Sequence, residues 1–294
     1  MGILNLTPDS FSDGGRFRSV DQAVAEAMRM IEDGADILDL GAESSRPGAT
    51  PVPIEEEMSR LLPVVAELRQ RTDIPLSIDT VKARVAGAAL ELGADWINDI
   101  SALRADPEMV GLAAATGAPL VLMHMRGEPR TMQEEPQYRD CLGEVMAGLG
   151  TQVDRALEAG VNPAQILVDP GIGFGKTLEH NLELIRGLPR IAELGYPVLL
   201  GLSRKSLLAA LLDKGSRTNP PAGAGAWAPA DRDIATMALT AWTHDKGVSV
   251  HRVHHVRYAR QILDVLAGMA ERTDFPGDDG IAFLDSTGAP EKTT

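Results

Sequence analysis

GADILDLGAESSRPG (residues 34–48) and GADWINDI (residues 93–100) open alike. In each, Gly-Ala-Asp ends a stretch with helical hydrophobic period and leads straight into a short apolar run. The same compact helix-to-strand junction is thus used twice. Working outward, further apolar runs follow at comparable spacing. The eight candidate strands cover residues 1–5, 36–41, 76–79, 96–99, 120–124, 166–169, 198–201 and 248–252. They are nearly continuous in apolar character, as parallel strands covered on both faces are. The segments between them read as helices. Val20, Ala23, Val24, Ala27, Met28 and Ile31 share one face at 3.6-residue spacing, with Ser19 and Gln22 as a capping box before them and Gly34 as the stop. Ile54, Met58, Leu61, Val65 and Leu68 form a second stripe, in which Pro63 predicts a kink. Residues 81–92, 107–116, 138–159, 178–194, 232–246 and 256–269 complete the helical set. Eight strand–helix units in this order predict the α/β class and a single-domain (β/α)8 TIM barrel, in preference to an open doubly wound sheet. The barrel is expected over residues 1–270, with 271–294 as a polar, extended or disordered C-terminal tail and 215–229 as a long Pro/Gly/Ala-rich loop.

Composition narrows the function classes. The chain has 294 residues, 44% hydrophobic and 24% charged, which is ordinary for a globular protein. Its one cysteine, Cys141, rules out an internal disulfide and argues against a cysteine-based metal site. No apolar run approaches the ~20 residues of a membrane helix, and the start lacks a signal-peptide pattern, so the expected location is cytoplasmic. Met1-Gly2 opens a myristoylation-like motif, but Leu6 stands where Ser or Thr is required. A net charge of −14 repels nucleic acid and anionic lipid, so an anionic ligand must find a local basic pocket.

In a barrel, chemistry sits at the C-terminal strand ends. Here every candidate strand ends in polar groups: Asn5, Glu43-Ser44-Ser45-Arg46, Asp79, Asn98-Asp99, His124, Asp169, Ser203-Arg204-Lys205 and Arg252-Val253-His254. Taken singly, each has a bland reading: Asp79 as a helix-start acid, Asn98 and Asp99 as turn residues, His124 as a hydrogen-bonded core histidine. The last reading is preferred for His124. The run Gly173-Phe174-Gly175-Lys176-Thr177 imitates a P-loop, but Pro170 stands where the motif needs glycine. Taken together, Asp79, Asn98 and Asp169 form an acidic floor suited to a heterocycle whose amino-pyrimidinone edge offers parallel N–H donors. Arg46, Lys205, Arg252 and His254 opposite it suit phosphate or pyrophosphate.

MGILNLTPDSFSDGG (residues 1–15) and GAESSRPGA (residues 41–49) resemble the first two signatures of the dihydropteroate synthase family, within the wider pterin-binding enzymes. SIDT, INDI, VLMHM, DPGIGFGK, GLSRKS and RVH resemble its later motifs, in order, over roughly residues 1–270. The resemblance implies an Mg2+-dependent transferase of folate biosynthesis, sulfonamide-sensitive and homodimeric. It would condense 6-hydroxymethyl-7,8-dihydropterin diphosphate with 4-aminobenzoate to give 7,8-dihydropteroate and pyrophosphate. By the same resemblance Asp79, Asn98, Asp169, Lys205, Met123 and Phe174 hold the pterin. Asn5, Ser45, Arg46, Arg252 and His254 hold the pyrophosphate, and Asn5 the metal. Ser203, Lys205, Phe174, Phe11 and Pro47 meet the aminobenzoate. Lys205, Asp13 and Arg252 are the expected catalytic residues, with Asp13 stabilising a cation. Position 45 is Ser where relatives often carry Thr, which keeps the hydroxyl. Two alternatives stand beside this reading: a methyltetrahydrofolate-binding methyltransferase domain, which would share the acidic floor but not need the basic clamp, and a non-catalytic pterin-binding paralogue.

Overall fold

The computed structural model describes residues 1–7, 20–46, 48–215 and 227–270. Its centre is one sheet of eight parallel strands: β1 (Gly2–Asn5), β2 (Leu38–Gly41), β3 (Leu76–Asp79), β4 (Trp96–Asp99), β5 (Leu120–Met123), β6 (Ile166–Asp169), β7 (Val198–Leu200) and β8 (Val248–His251). Neighbours in space are neighbours in sequence, from β1 through β8. An open doubly wound sheet would reverse its strand order part-way, and this order has no reversal. The sheet curls until its edges meet. Gly2 and Val253, just beyond β8, form a parallel bridge, with Ile3 N–H donating to the Val253 carbonyl at 3.0 Å and Val253 N–H to that of Met1 at 3.0 Å.

Helices alternate with the strands, as the sequence pattern predicts. Among the described residues they are α1 (Val20–Glu32), α2 (Ile54–Arg69), α3 (Ala83–Glu91), α4 (Met109–Thr116), α5 (Cys141–Glu158), α6 (Leu178–Arg186), α7 (Leu188–Ala192), α8 (Ser206–Gly215), α9 (Asp233–Thr243) and α10 (Val256–Ala270). Helix α2 runs without a break through Pro63. The expected single helix over 178–194 is divided instead at Gly187, after which α7 starts at Leu188 with Pro189 in its first turn. The expected capping box at Ser19, most of the loop at 215–229 and the tail at 271–294 lie outside the described residues.

The two Gly-Ala-Asp junctions are built as one device. Gly34 and Gly93 adopt φ of +93° and +98°, which glycine enters without steric cost. A Cβ at either would lie 2.9 Å from an arginine side chain, Arg260 and Arg69 respectively. Those arginines pair with the aspartate of the same triplet, Arg260 with Asp36 and Arg69 with Asp95. Each junction is therefore clamped by a cation from a neighbouring helix.

The core lies in two regions. Outside the sheet, two apolar clusters fill the space under the helices, one centred on β1–β3 and one on β4–β7. Inside it, Met1, Ile37, Val121, Leu167 and Leu199, with Trp96 and Val250 against them, form a separate plug contributed by, or just before, every strand except β3. Side chains alternate along a strand. The next interior layer therefore lies two residues further on, at Asp39, Asn98, Met123, Asp169 and Arg252. Strand alternation alone moves the interior from an oily plug to a polar floor in one step.

Candidate functional site

Asp39 is the centre of that floor. It is fully buried, and its carboxylate accepts from Ser77 Oγ at 2.6 Å, from Asn98 Nδ2 at 3.2 Å on both oxygens, and from Arg252 Nε at 2.6 Å. Arg252 then reaches Asp79 with Nη2 at 2.8 Å. Asp79 and Asn98 are register partners at the ends of β3 and β4. Burial pushes the Asp79 carboxyl up to about 7, against the opposing pull of Arg252. Asp99, next to Asn98, faces the other way. Its carboxylate accepts from the backbone N–H groups of Ser101 at 2.8 Å and Leu103 at 2.7 Å, so it builds the turn after β4. The tandem Asn98-Asp99 thus divides into one interior group and one turn group.

Asp169 ends β6 on the far side of the floor and is almost wholly buried. Burial raises its carboxyl, and Lys205 is the strongest influence in the opposite direction. Lys205 itself is lowered to about 8, chiefly by burial. Its Nζ donates to the Ile172 carbonyl and stands 4.7 Å over the Phe174 ring. Asp169 also receives the Gly171 N–H at 2.7 Å. Gly171 has a φ of +67°, and a Cβ there would fall 1.8 Å from the His124 carbonyl oxygen, so the loop after β6 can lie flat on the loop after β5 only through this glycine. The P-loop-like lysine, Lys176, is buried in this joint. Its ammonium donates to the carbonyls of Gly171 at 2.9 Å, Phe174 at 3.0 Å and His124 at 3.3 Å. It also stands 3.2 Å from His124 Nδ1, and burial takes that imidazole down to about 3, leaving it neutral. His124 and Lys176 therefore fasten two loops. Met123, Met125 and Met132 pack with Ile100 and Phe174 into a small apolar wall beside them.

At the β7 and β8 ends, the Ser203 hydroxyl accepts the His254 backbone N–H at 3.1 Å and lies 2.9 Å from His254 Nδ1. Burial lowers the His254 imidazole to about 3. Arg204, in the left-handed region at φ +59°, turns away from the floor and forms a two-pronged pair with Asp233 at 2.7 and 2.8 Å. That pairing fixes the backbone on which Ser203 and Lys205 stand. Asn5 ends β1 in the same register row as Gly41, Asp79 and Asn98. Ser45 is half-buried and Arg46 exposed on the loop after β2. A cavity of about 690 Å3 opens among the loops after β2–β5, with Ser45, Asp79, Ile100, Arg104 and Met125 on its wall. Its other side carries Lys82, which pairs with Glu43 and with the fully buried Glu57. Phe11, Asp13 and Pro47 lie outside the described residues. Among the described residues, no group of three or more His, Cys, Asp or Glu side chains is placed to hold a metal ion, and no helix is long and apolar enough to cross a membrane.

The structure thus brings Asp79, Asn98 and Arg252 into one connected network, sets Asp169 and Lys205 across from it, and pairs Ser203 with His254. Neither Lys205 nor Arg252 is an exposed strand-end cation: both are partly buried, and the Arg252 side chain is 20% accessible and ion-paired on two sides. Asp39 at the centre of the floor and Ser77 beside it went unnoticed in the sequence, as did Lys176 as a fastener. A carboxylate inside the apolar run Ile-Leu-Asp-Leu-Gly (residues 37–41) is the signal that could have exposed Asp39, because a charge in a buried strand needs partners.

Comparison with known proteins follows the same outline. Residues 1–254 match the family described as pterin binding enzyme. The dihydropteroate synthase of Synechocystis sp. is 46% identical over 265 residues, covering 90% of this chain and 88% of that protein. The crystal structure of Yersinia pestis dihydropteroate synthase with a sulfonamide drug superposes with a TM-score of 0.84 at 39% identity, covering 92% of this chain and 94% of the other. The Xanthomonas albilineans dihydropteroate synthase in complex with 7,8-dihydropteroate superposes with a TM-score of 0.79 at 39% identity, covering 92% of each chain.

Proposed function

Because the chain belongs to the pterin-binding enzyme family, and within it to the dihydropteroate synthases, we propose that the polar layer at its strand ends reads a pterin ring. The reaction is that of a transferase of folate biosynthesis: 6-hydroxymethyl-7,8-dihydropterin diphosphate and 4-aminobenzoate give 7,8-dihydropteroate and pyrophosphate. One observation carries the assignment of the site. Asp79 and Asp169 are carboxylates in an interior layer, each raised by burial although Arg252 pairs with Asp79 and the Gly171 N–H donates to Asp169. A ring edge with parallel N–H donors would give each of them further hydrogen bonds. Met123 and Phe174 give the ring an apolar wall, and Lys205 spans the floor and the aminobenzoate side. Ser45, Arg46, Ser203, Arg252 and His254 surround the diphosphate.

Asn5, at the end of β1, would help hold Mg2+ on the diphosphate, since this ion commonly takes few protein ligands and keeps its waters. When bound it neutralises leaving-group charge. The chain's residues do the rest. The C–O bond to the diphosphate breaks with its electron pair leaving on oxygen. The dihydropterin ring shares the positive charge left on the CH2 carbon, and the neutral arylamine then attacks with its lone pair and loses a proton to solvent. The buried carboxylates stabilise that cation. By the family resemblance Phe11, Asp13 and Pro47, which lie outside the described residues, would shield the cation from water, with Asp13 adding its charge. Sulfonamides, as aminobenzoate mimics, compete on the Ser203–Lys205 side. The bridge between Gly2 and Val253 supports a closed (β/α)8 barrel over residues 1–270 as one domain, and we extend the reading to a cytoplasmic homodimer. The test is pyrophosphate release by the purified protein. The reading requires both substrates and Mg2+ for release. Release that ignores 4-aminobenzoate would mean hydrolysis, and no release at all would overturn the assignment.

A further inference from the structure

Of the network, Asp79 lines the cavity, while Asp39, Asn98 and Arg252 lie behind that wall; Asp39 nonetheless sets how the groups around Asp79 are oriented. An amide facing a carboxylate at 3.2 Å must turn its nitrogen toward it, because an amide oxygen there would meet like charge. Asp39 therefore dictates the orientation of Asn98, with Nδ2 directed down and Oδ1 left for the layer above. The same carboxylate holds Arg252 by Nε, which aims Nη2 at Asp79. Ser77 fixes the carboxylate in turn at 2.6 Å. One fully buried group thus orients an amide, a guanidinium and, through the guanidinium, a second carboxylate.

We propose that Asp39 is a positioning residue that sets the donor–acceptor polarity of the floor, so that Asn98 presents an acceptor beside the Asp79 carboxylate and the site selects a heterocycle edge made of donors. The proposal rests on the pterin reading given above, and it makes the charge on Asp39, not merely its volume, the source of that selectivity. Asn at position 39 keeps the volume and loses the charge. Asp at position 98 keeps an acceptor but sets two carboxylates against each other. The exchange of both, D39N with N98D, restores a donor below and an acceptor above with the net charge unchanged.

The experiment is a three-variant cycle: Asp39→Asn, Asn98→Asp and the double exchange. Calorimetric titration with 6-hydroxymethyl-7,8-dihydropterin diphosphate and steady-state kinetics are the readouts. Each single variant is expected to weaken binding of the pterin substrate roughly tenfold or more while the KM for 4-aminobenzoate stays within about twofold. The double exchange is expected to bind at least about threefold more tightly than either single variant. A loss in both KM values alike, or a double exchange as weak as the product of the singles, overturns the proposal. Should a single variant fail to fold, the double exchange decides alone, by whether it binds within about tenfold of the parent. Wild-type protein that does not bind the pterin substrate refutes the pterin reading itself, whereas wild type that binds, with Asp39→Asn binding equally well, refutes only the role of Asp39.

Discussion

Replacing Arg252 by alanine removes the cation that joins Asp39 to Asp79. Two charge-assisted hydrogen bonds go, at 2.6 and 2.8 Å. The two carboxylates do not suffer equally. Asp79 already stands near about 7, so at neutral pH it takes a proton at little cost once the guanidinium is gone. Asp39 is fully buried and keeps only its bonds from Ser77 and Asn98. Breaking a buried pair from one side costs about 3–5 kcal/mol. The 20% accessibility of the Arg252 side chain and the two surviving Asp39 donors place the loss at the lower end, about 3 kcal/mol. Urea unfolding followed by circular dichroism at pH 7.5 measures it as a shift in midpoint at constant slope. Adding Asp39→Asn to Arg252→Ala should recover about half of the loss, because no charge is then left buried without a partner. A loss below about 1 kcal/mol, or no recovery in the double variant, would refute the view that Arg252 is a floor residue held by Asp39.

Three further outcomes can be measured. Recognition of ring donors needs Asp79 ionised, which holds above its value of about 7, and a charged Lys205, which holds below about 8; kcat/KM for the pterin substrate should therefore peak between these pH values and fall on both sides, and Lys205→Arg should extend the alkaline side. A flat profile from pH 6 to 9 contradicts the assignment of both groups. Lys205→Ala should lower kcat/KM by roughly 100-fold or more, because the cation facing Asp169 disappears, while thermal unfolding moves by only a few degrees. Near-parental kcat/KM removes Lys205 from the site. Gly171→Ala, with φ at +67° and a Cβ 1.8 Å from the His124 carbonyl oxygen, should cost at least about 3 kcal/mol or prevent folding; a variant of parental stability would show that the two loops do not lie as described.

Much of the fold was legible because its signals are local. Hydrophobic period and the Gly-Ala-Asp junctions place every strand within two residues of its observed limits, and the clamping of Gly34 and Gly93 by Arg260 and Arg69 shows why that triplet recurs. The break at Gly187 was missed although Gly187 and Pro189 are ordinary stop and start residues, because the apolar stripe continues across them. In the site, Asp79, Asn98 and Asp169 stood out as polar groups ending apolar strands. Asp39 did not, because it lies inside a strand and its partner Arg252 is 213 residues away. Lys176 was equally hidden, since backbone carbonyls are its partners and these leave no mark in sequence. Arg204 reads as part of a basic cluster until Asp233, at the start of α9, is seen to claim it.

Whether the interior layer at the strand ends reads the ring is decided by a crystal structure of the protein with 6-hydroxymethyl-7,8-dihydropterin diphosphate. Ring N–H groups are expected within hydrogen-bond distance of Asp79, Asn98 Oδ1 and Asp169, with Lys205 beside the same ring and Arg252 still bound to Asp39. A ring seated elsewhere, or an Asn98 amide that turns its nitrogen to the ligand, would contradict that reading.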